Sequence, residues 1–152
     1  MHVAFLDRDG TLIHEPQDGL VRPEGFRVLP NVIEGLKSLK AQGYALVMIT
    51  NQSFLGSSKR QQCFEDTQKM LFAALRAEGL VFDFVFLCPH SEEECCNCRK
   101  PKTGMVDAFL RTHEIDKARS IVVGDRESAD GGFAKAIGVK FLKMESNGTF
   151  PC

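Results

Sequence analysis

Apolar residues fall along the chain in short dense blocks separated by longer amphipathic stretches. "HVAFLD" (2–7), "YALVMIT" (44–50), "FDFVFLC" (82–88) and "SIVVGD" (120–125) are nearly continuous in apolar positions, and a weaker block, "VKFLKM", covers 139–144. Continuous rather than alternating runs are the mark of parallel strands covered on both faces. Between the blocks the spacing turns helical. "NVIEGLKSLKAQG" (31–43) sets Val32, Leu36 and Leu39 on one face and stops at Gly43. "CFEDTQKMLFAALRAEG" (63–79) repeats the pattern with Phe64, Met70, Leu71, Ala74 and Leu75. "TGMVDAFLRTHE" (103–114) and "ADGGFAKAIG" (129–138) complete the alternation. The series predicts an α/β protein, a doubly wound, Rossmann-like and mostly parallel sheet with helices on both faces. Residues 1–152 contain no repeat, low-complexity tract or interdomain linker, so one domain is expected. The proline-bearing stretch 13–30 should flank the functional site, and the polar tail "ESNGTFPC" reads as loose.

Ligands of open α/β sheets bind beyond the carboxyl ends of the strands. Those ends carry Asp7 with Asp9, Thr50 with Asn51, a cysteine-rich loop, and Asp125. Each alone suits a turn or a helix cap; together, at one edge, they describe a site. In "FLDRDGTLI" two acids stand two residues apart just past a strand, on one side if the alternation persists. Gly10 then permits a turn with positive φ. Neighbouring carboxylates ionise together cheaply only beside a cation. With a hard cation such as Mg²⁺, one acid can attack an electrophile while the other moves a proton. Asp125 adds a third acid, and Thr50, Asn51 and Lys100 complete a plausible phosphoryl site.

Composition narrows the partners. The chain has 152 residues, 43% hydrophobic and 26% charged, an ordinary balance for a globular protein of this length. The net charge of −1 gives no overall basic excess for nucleic acid or an anionic membrane. No apolar run approaches the ~20 residues of a membrane span, and Asp7 interrupts the N-terminal block too early for a signal peptide. A cytoplasmic location and no membrane partner are therefore expected. Of the six cysteines, four crowd into "CPHSEEECCNC" (88–98). Such clustering reads as metal binding rather than a disulfide framework. Cys88-x-His90 with Cys96-x-Cys98 supplies a Cys₃His set suited to zinc, whose four protein ligands leave no position for chemistry. Cys95 and Cys96 are adjacent and point apart, so only one of them should ligate. Ser91 to Glu94 reads as a solvated loop, and His2, His14 and His113 have no second ligand nearby in sequence.

"DRDGT" after an apolar strand, "MITNQS", "CRKPKTGM" and "VVGDRESAD", in this order and spacing, resemble the haloacid dehalogenase superfamily of phosphatases. Within it "CPH…CNCRKP" is similar to the zinc-loop branch of histidinol-phosphate and D-glycero-D-manno-heptose-1,7-bisphosphate phosphatases. The resemblance covers essentially the whole chain. It implies that Asp7 is the nucleophile, forming an aspartyl-phosphate, and that Asp9 is the general acid and then the base. It implies Mg²⁺ on the Asp7 carboxylate, the Asp9 backbone carbonyl and Asp125, with Thr50, Asn51 and Lys100 on the phosphoryl oxygens. It selects Cys88, His90, Cys96 and Cys98 for a structural Zn²⁺ and keeps Cys95 in reserve. One departure stands out. Members commonly carry a second acid in "GDxxxD", but position 129 is Ala and Asp130 follows one residue later. Asp130 is then either an outer partner of the metal or a helix N-cap, and Arg126 meets either substrate or solvent.

The function expected is a Mg²⁺-dependent phosphomonoesterase acting on a small phosphorylated metabolite, as a monomer or small homo-oligomer. The short gap between His90 and Cys96 and "TLIHEP" favour histidinol phosphate, whereas "NQS" and "KPKTGM" look as much like the heptose-bisphosphate enzymes. A DNA 3′-phosphatase and an inactive zinc-stapled binding module rank lower. The short loops between motifs leave no room for a separate cap domain, so 13–30, 53–60 and the zinc loop should finish the pocket. Lys100 lies two residues past the last zinc ligand, so the zinc should brace the loop that delivers it. Arg99 should face the far end of the substrate.

Overall fold

The structure, a computed structural model, describes residues 1–152. Five parallel strands form one sheet in the order β3-β2-β1-β4-β5: β1 (Val3–Leu6), β2 (Ala45–Asn51), β3 (Phe84–Cys88), β4 (Ile121–Gly124) and β5 (Lys140–Lys143). All five apolar blocks are strands, with ends that differ from the blocks by a residue or two. The connecting helices are α1 (Val32–Ala41), α2 (Ser58–Ala77), α3 (Asp107–Thr112) and α4 (Gly132–Ile137). Helix α2 begins five residues before the sequence pattern suggests, because the Ser57 hydroxyl accepts from the Arg60 amide and caps it.

Alternation along the strands divides the core in two. Ala4, Leu6, Leu46, Met48 and Val123 pack with Leu36 and Leu39 of α1 and Leu71 and Leu75 of α2. Val3, Phe5, Val47, Ile49 and Val122 face the other way, against Phe109 of α3 and Phe133, Ala134 and Ile137 of α4. This is the doubly wound arrangement the sequence predicts. Strand order reverses between β1 and β4, and the crevice beyond their carboxyl ends is where such sheets hold ligands.

One expectation is corrected and one open alternative is decided. The tail is not loose: Phe150 is 1% exposed and packs with the α1–α2 core, and its amide donates to the Pro30 carbonyl. A single aromatic anchors an otherwise polar segment that composition alone marks as free. The acid spacing around Asp130 is also resolved. Residues Glu127–Gly131 form a π-turn, which takes up one extra residue before α4 begins. Asp130 is therefore no N-cap; it is buried at 1% exposure and turned back toward the strand ends.

Candidate active site

Strand β1 ends in a turn that folds tightly back on itself. The Arg8 carbonyl accepts from the amides of Thr11, Leu12 and Ile13, and Gly10 adopts a φ of 80°. The turn leaves Asp7 at the switch point, its own amide extending the ladder to the Val123 carbonyl. The Thr11 hydroxyl lies 3.1 Å from Asp7 Oδ2 and 3.4 Å from Asp125 Oδ1, bridging β1 and β4. Carboxylate oxygens of Asp7, Asp125 and Asp130 lie within 4.8 Å of one another. Lys100 enters this group from the zinc-type loop: its Nζ donates to Asp7 Oδ1 at 2.8 Å, Asp130 Oδ1 at 2.7 Å and the Ile49 carbonyl at 2.9 Å. All three ammonium protons are thereby used.

Three acids and one lysine leave an excess of negative charge in a buried place. Burial, then the charge of Asp7, pushes the Asp125 carboxyl up to about 6. Asp130 is likewise pushed up to about 6 by burial and Asp7, against the pull of Lys100. Burial opposes the charge on Lys100, but Asp7 and Asp130 more than offset it and hold its pKa above the ordinary range. A cluster of oxygen donors short of two positive charges fits a hard divalent cation.

Asp9 lines the same cavity, but its side chain is not in the acid cluster. Arg8 Nε donates to its Oδ1 at 2.7 Å and Gln52 Nε2 to its Oδ2 at 2.9 Å; the same Gln52 nitrogen donates to Thr50 Oγ1. Asn51 also borders the cavity, yet both ends of its amide are taken by the backbone of Lys100, Oδ1 accepting at 2.9 Å and Nδ2 donating at 3.1 Å. That pairing makes Asn51 a clamp on the Lys100 loop, a different use from the phosphoryl contact the sequence suggests. Arg99 borders the cavity while its guanidinium donates to the His90 carbonyl at 3.0 Å.

The cavity is about 570 Å³ and is lined mainly by polar and charged residues. One wall is Glu15 with Arg126, paired at 3.0 and 3.1 Å; the other is the loop from Ser91 to Lys102. Of the stretch 13–30 only Glu15 reaches it, and none of 53–60 does, because those residues lean toward Arg8 and Phe64 instead. Ser91 and Glu92 border the cavity from a short 3₁₀ turn held by a Ser91–Glu94 capping box, and Glu92 to Glu94 are exposed and outside the metal-type groups, as a solvated run should be.

Cys88, His90, Cys96 and Cys98 bring one ligand atom each within 4.8 Å of one another, and no cysteine is in a disulfide. Cys95 is exposed, in a left-handed conformation at the end of the 3₁₀ turn, and outside the group. Burial, with the neighbouring thiols, pushes Cys88 up to about 12. Burial acts the same way on Cys96, but hydrogen bonds led by the Arg99 amide bring it down to about 6. Three sulfurs and an imidazole in a closed group fit a tetrahedral thiophilic cation such as zinc.

Several contributors are not legible as motifs. Gln52 lies inside "MITNQS" but that motif assigns it no role, and Ser146 and Asn147 sit in the tail. The Ser146 hydroxyl donates to Asp125 Oδ2. Asn147 accepts from the Glu15 amide at 2.7 Å and donates to its carbonyl at 2.8 Å. Arg8 did carry a signal, a charge between two acids at the end of a buried strand.

The sheet, the strand-end acids and the buried lysine are those of a phosphatase of the haloacid dehalogenase class. The chain belongs to the polynucleotide kinase 3 phosphatase family, whose model matches residues 2–146. It is 38% identical over 144 residues to the histidine biosynthesis bifunctional protein HisB of Blochmanniella floridana, and 40% identical over 144 residues to that of Campylobacter jejuni subsp. doylei. Each alignment takes in 93% of this chain but only 40% and 41% of the relative's length. The crystal structure of D,D-heptose 1,7-bisphosphate phosphatase from B. bronchiseptica, complexed with magnesium and phosphate, superposes with a TM-score of 0.80 at 28% identity, covering 93% of this chain and 79% of that one.

Proposed function

We propose that residues 1–152 form one phosphatase domain that hydrolyses histidinol phosphate through a phosphorylated Asp7. The observation that carries the chemistry is the cluster of Asp7, Asp125, Asp130 and Lys100, three of which (Asp7, Asp130 and Lys100) line the cavity. Asp7 attacks phosphorus while Asp9 protonates the departing alcohol oxygen. Asp9 then takes a proton from water, which attacks the phosphorus and frees Asp7 and inorganic phosphate. Lys100 and Thr50 bind the phosphoryl oxygens, and Asn51 fixes Lys100. Asp7, Asp125 and the Asp9 carbonyl would hold Mg²⁺, with Asp130 beside them; when bound, it offsets charge on the phosphoryl group. Cys88, His90, Cys96 and Cys98 would hold Zn²⁺ as a structural brace, and Arg99 and Arg126 would face the rest of the substrate.

Identity to the HisB proteins favours histidinol phosphate. The fold match to the heptose-bisphosphate enzyme supports that sugar phosphate as the second reading. A nucleic-acid 3′-phosphate, which the family description names, suits the chain less well, since its net charge is −1. A small-molecule biosynthetic substrate is in keeping with a cytoplasmic site of action.

The test is phosphate release with Mg²⁺ from histidinol phosphate, a heptose 1,7-bisphosphate and a 3′-phosphorylated oligonucleotide at matched concentrations. Histidinol phosphate should be preferred, and Asp7→Asn should abolish turnover in a protein that still folds. A clear preference for either other substrate overturns the assignment; unaffected release by Asp7→Asn overturns the mechanism.

A further inference from the structure

Arg8 is the largest side chain fully buried in the molecule, at 1% exposure, yet it belongs to neither core cluster. A buried guanidinium needs an opposite charge and a full set of acceptors. Its only carboxylate partner is Asp9, through Nε to Oδ1 at 2.7 Å. The far end is pinned: NH1 donates to Gln68 Oε1 at 3.2 Å on α2, and the guanidinium carbon lies 4.5 Å from the centre of the Phe64 ring, also on α2. Gln68 is itself buried, and its amide nitrogen touches the Met48 sulfur. A rigid line therefore runs from helix α2 through Arg8 to one oxygen of Asp9, while Gln52 holds the other oxygen.

We infer that Arg8 is the positioning residue of Asp9, using α2 as an anchor to fix the carboxylate that handles the leaving-group proton. The inference rests on the acid–base reading of Asp9 given above. Arg8 touches no reacting atom. Its contribution is orientational: a carboxylate held at both oxygens cannot rotate freely, and proton transfer to a leaving oxygen depends on that direction. The arrangement also explains why the residue between the two acids is charged although it faces inward. A planar guanidinium donates along a fixed direction and stacks on an aromatic ring, neither of which a lysine ammonium would do.

Leaving-group dependence separates this role from simple support. An alkyl phosphate such as histidinol phosphate needs its leaving oxygen protonated; p-nitrophenyl phosphate hardly does. We expect Arg8→Met to lower kcat/KM for the alkyl ester by about 10²-fold, the lower end of what general acid catalysis supplies, and for the aryl ester by less than about threefold. Arg8→Lys should recover only part of the loss. Gln68→Leu, which frees the far end of Arg8 without removing it, should show a smaller loss with the same selectivity, and it covers the case in which Arg8→Met does not fold. Equal losses on both esters in the folded variants overturn the inference. Asp9→Asn is the control: if it too fails to discriminate the esters, the acid–base reading of Asp9 falls, whereas selectivity in Asp9→Asn alone removes only Arg8.

Discussion

At the scale of single residues, Lys100 is the point on which the site balances. It is 4% exposed and answers two of the three clustered carboxylates. Arg126 answers Glu15 instead, and Arg8 answers Asp9. Lys100→Met should therefore leave Asp7 and Asp130 facing each other without compensation, a change that costs about 3–5 kcal/mol for a broken buried pair. With a chelator present, the variant should melt well below the parent protein. Adding Mg²⁺ should recover more stability in the variant than in the parent, because the cation then relieves a repulsion that Lys100 otherwise covers. Melting curves with EDTA and with Mg²⁺ read this directly; identical Mg²⁺ responses would show that the acids do not share one charge balance. Lys100 and Asp7 are legible in sequence because strand ends and charge point to them. Asn51 is found as a site residue, while only the fold reveals that the Lys100 backbone occupies its side-chain amide.

At the scale of elements, two short segments do what regular structure cannot. The π-turn Glu127–Gly131 carries an acid five residues past Asp125 back to the cluster, a place that α-helical spacing would have assigned to Ala129. Periodicity read from sequence assumes one winding, so it leaves Asp130 ambiguous. The loop 88–102 has almost no regular structure and few apolar side chains, yet it must place Lys100 beneath the cavity. Its order comes from the thiol–imidazole group, with Arg99 closing onto the His90 carbonyl and Lys102 onto the Cys96 carbonyl. Cys98→Ala removes one of four ligands from that group. The variant should lose stoichiometric zinc and lose activity even in saturating Mg²⁺, while the sheet, which does not depend on the loop, keeps its circular dichroism. Full activity in a zinc-free Cys98→Ala protein would separate the loop from Lys100 placement.

For the molecule as a whole, the apolar blocks and helical faces fix the sheet, its two-sided core and the edge at which chemistry gathers. What composition cannot convey is how the last segment closes the structure. After β5 the chain crosses the site, leaving Ser146 on Asp125 and Asn147 on Glu15, and ends with Phe150 set over Gly35 of α1. A Cβ on Gly35 would lie 2.4 Å from Phe150 Cδ1 and 2.8 Å from the Cys152 carbonyl, so this helix position excludes any side chain while the tail is docked. In an open helix Ala is better than Gly by about 1 kcal/mol; here the sign should reverse. Gly35→Ala alone should destabilise by about 1–3 kcal/mol through overpacking, and Phe150→Ala alone by about 3–5 kcal/mol through the lost aromatic. The two changes occupy one contact and cannot add: with Phe150 gone, Gly35→Ala should become neutral or stabilising. Denaturant unfolding of the four proteins in this cycle measures the coupling. Both variants that release the tail should also lose catalytic rate, because Ser146 and Asn147 leave with it. If Gly35→Ala cost the same in both backgrounds, the tail would not be seated on α1, and its contacts to Asp125 and Glu15 would lose their anchor.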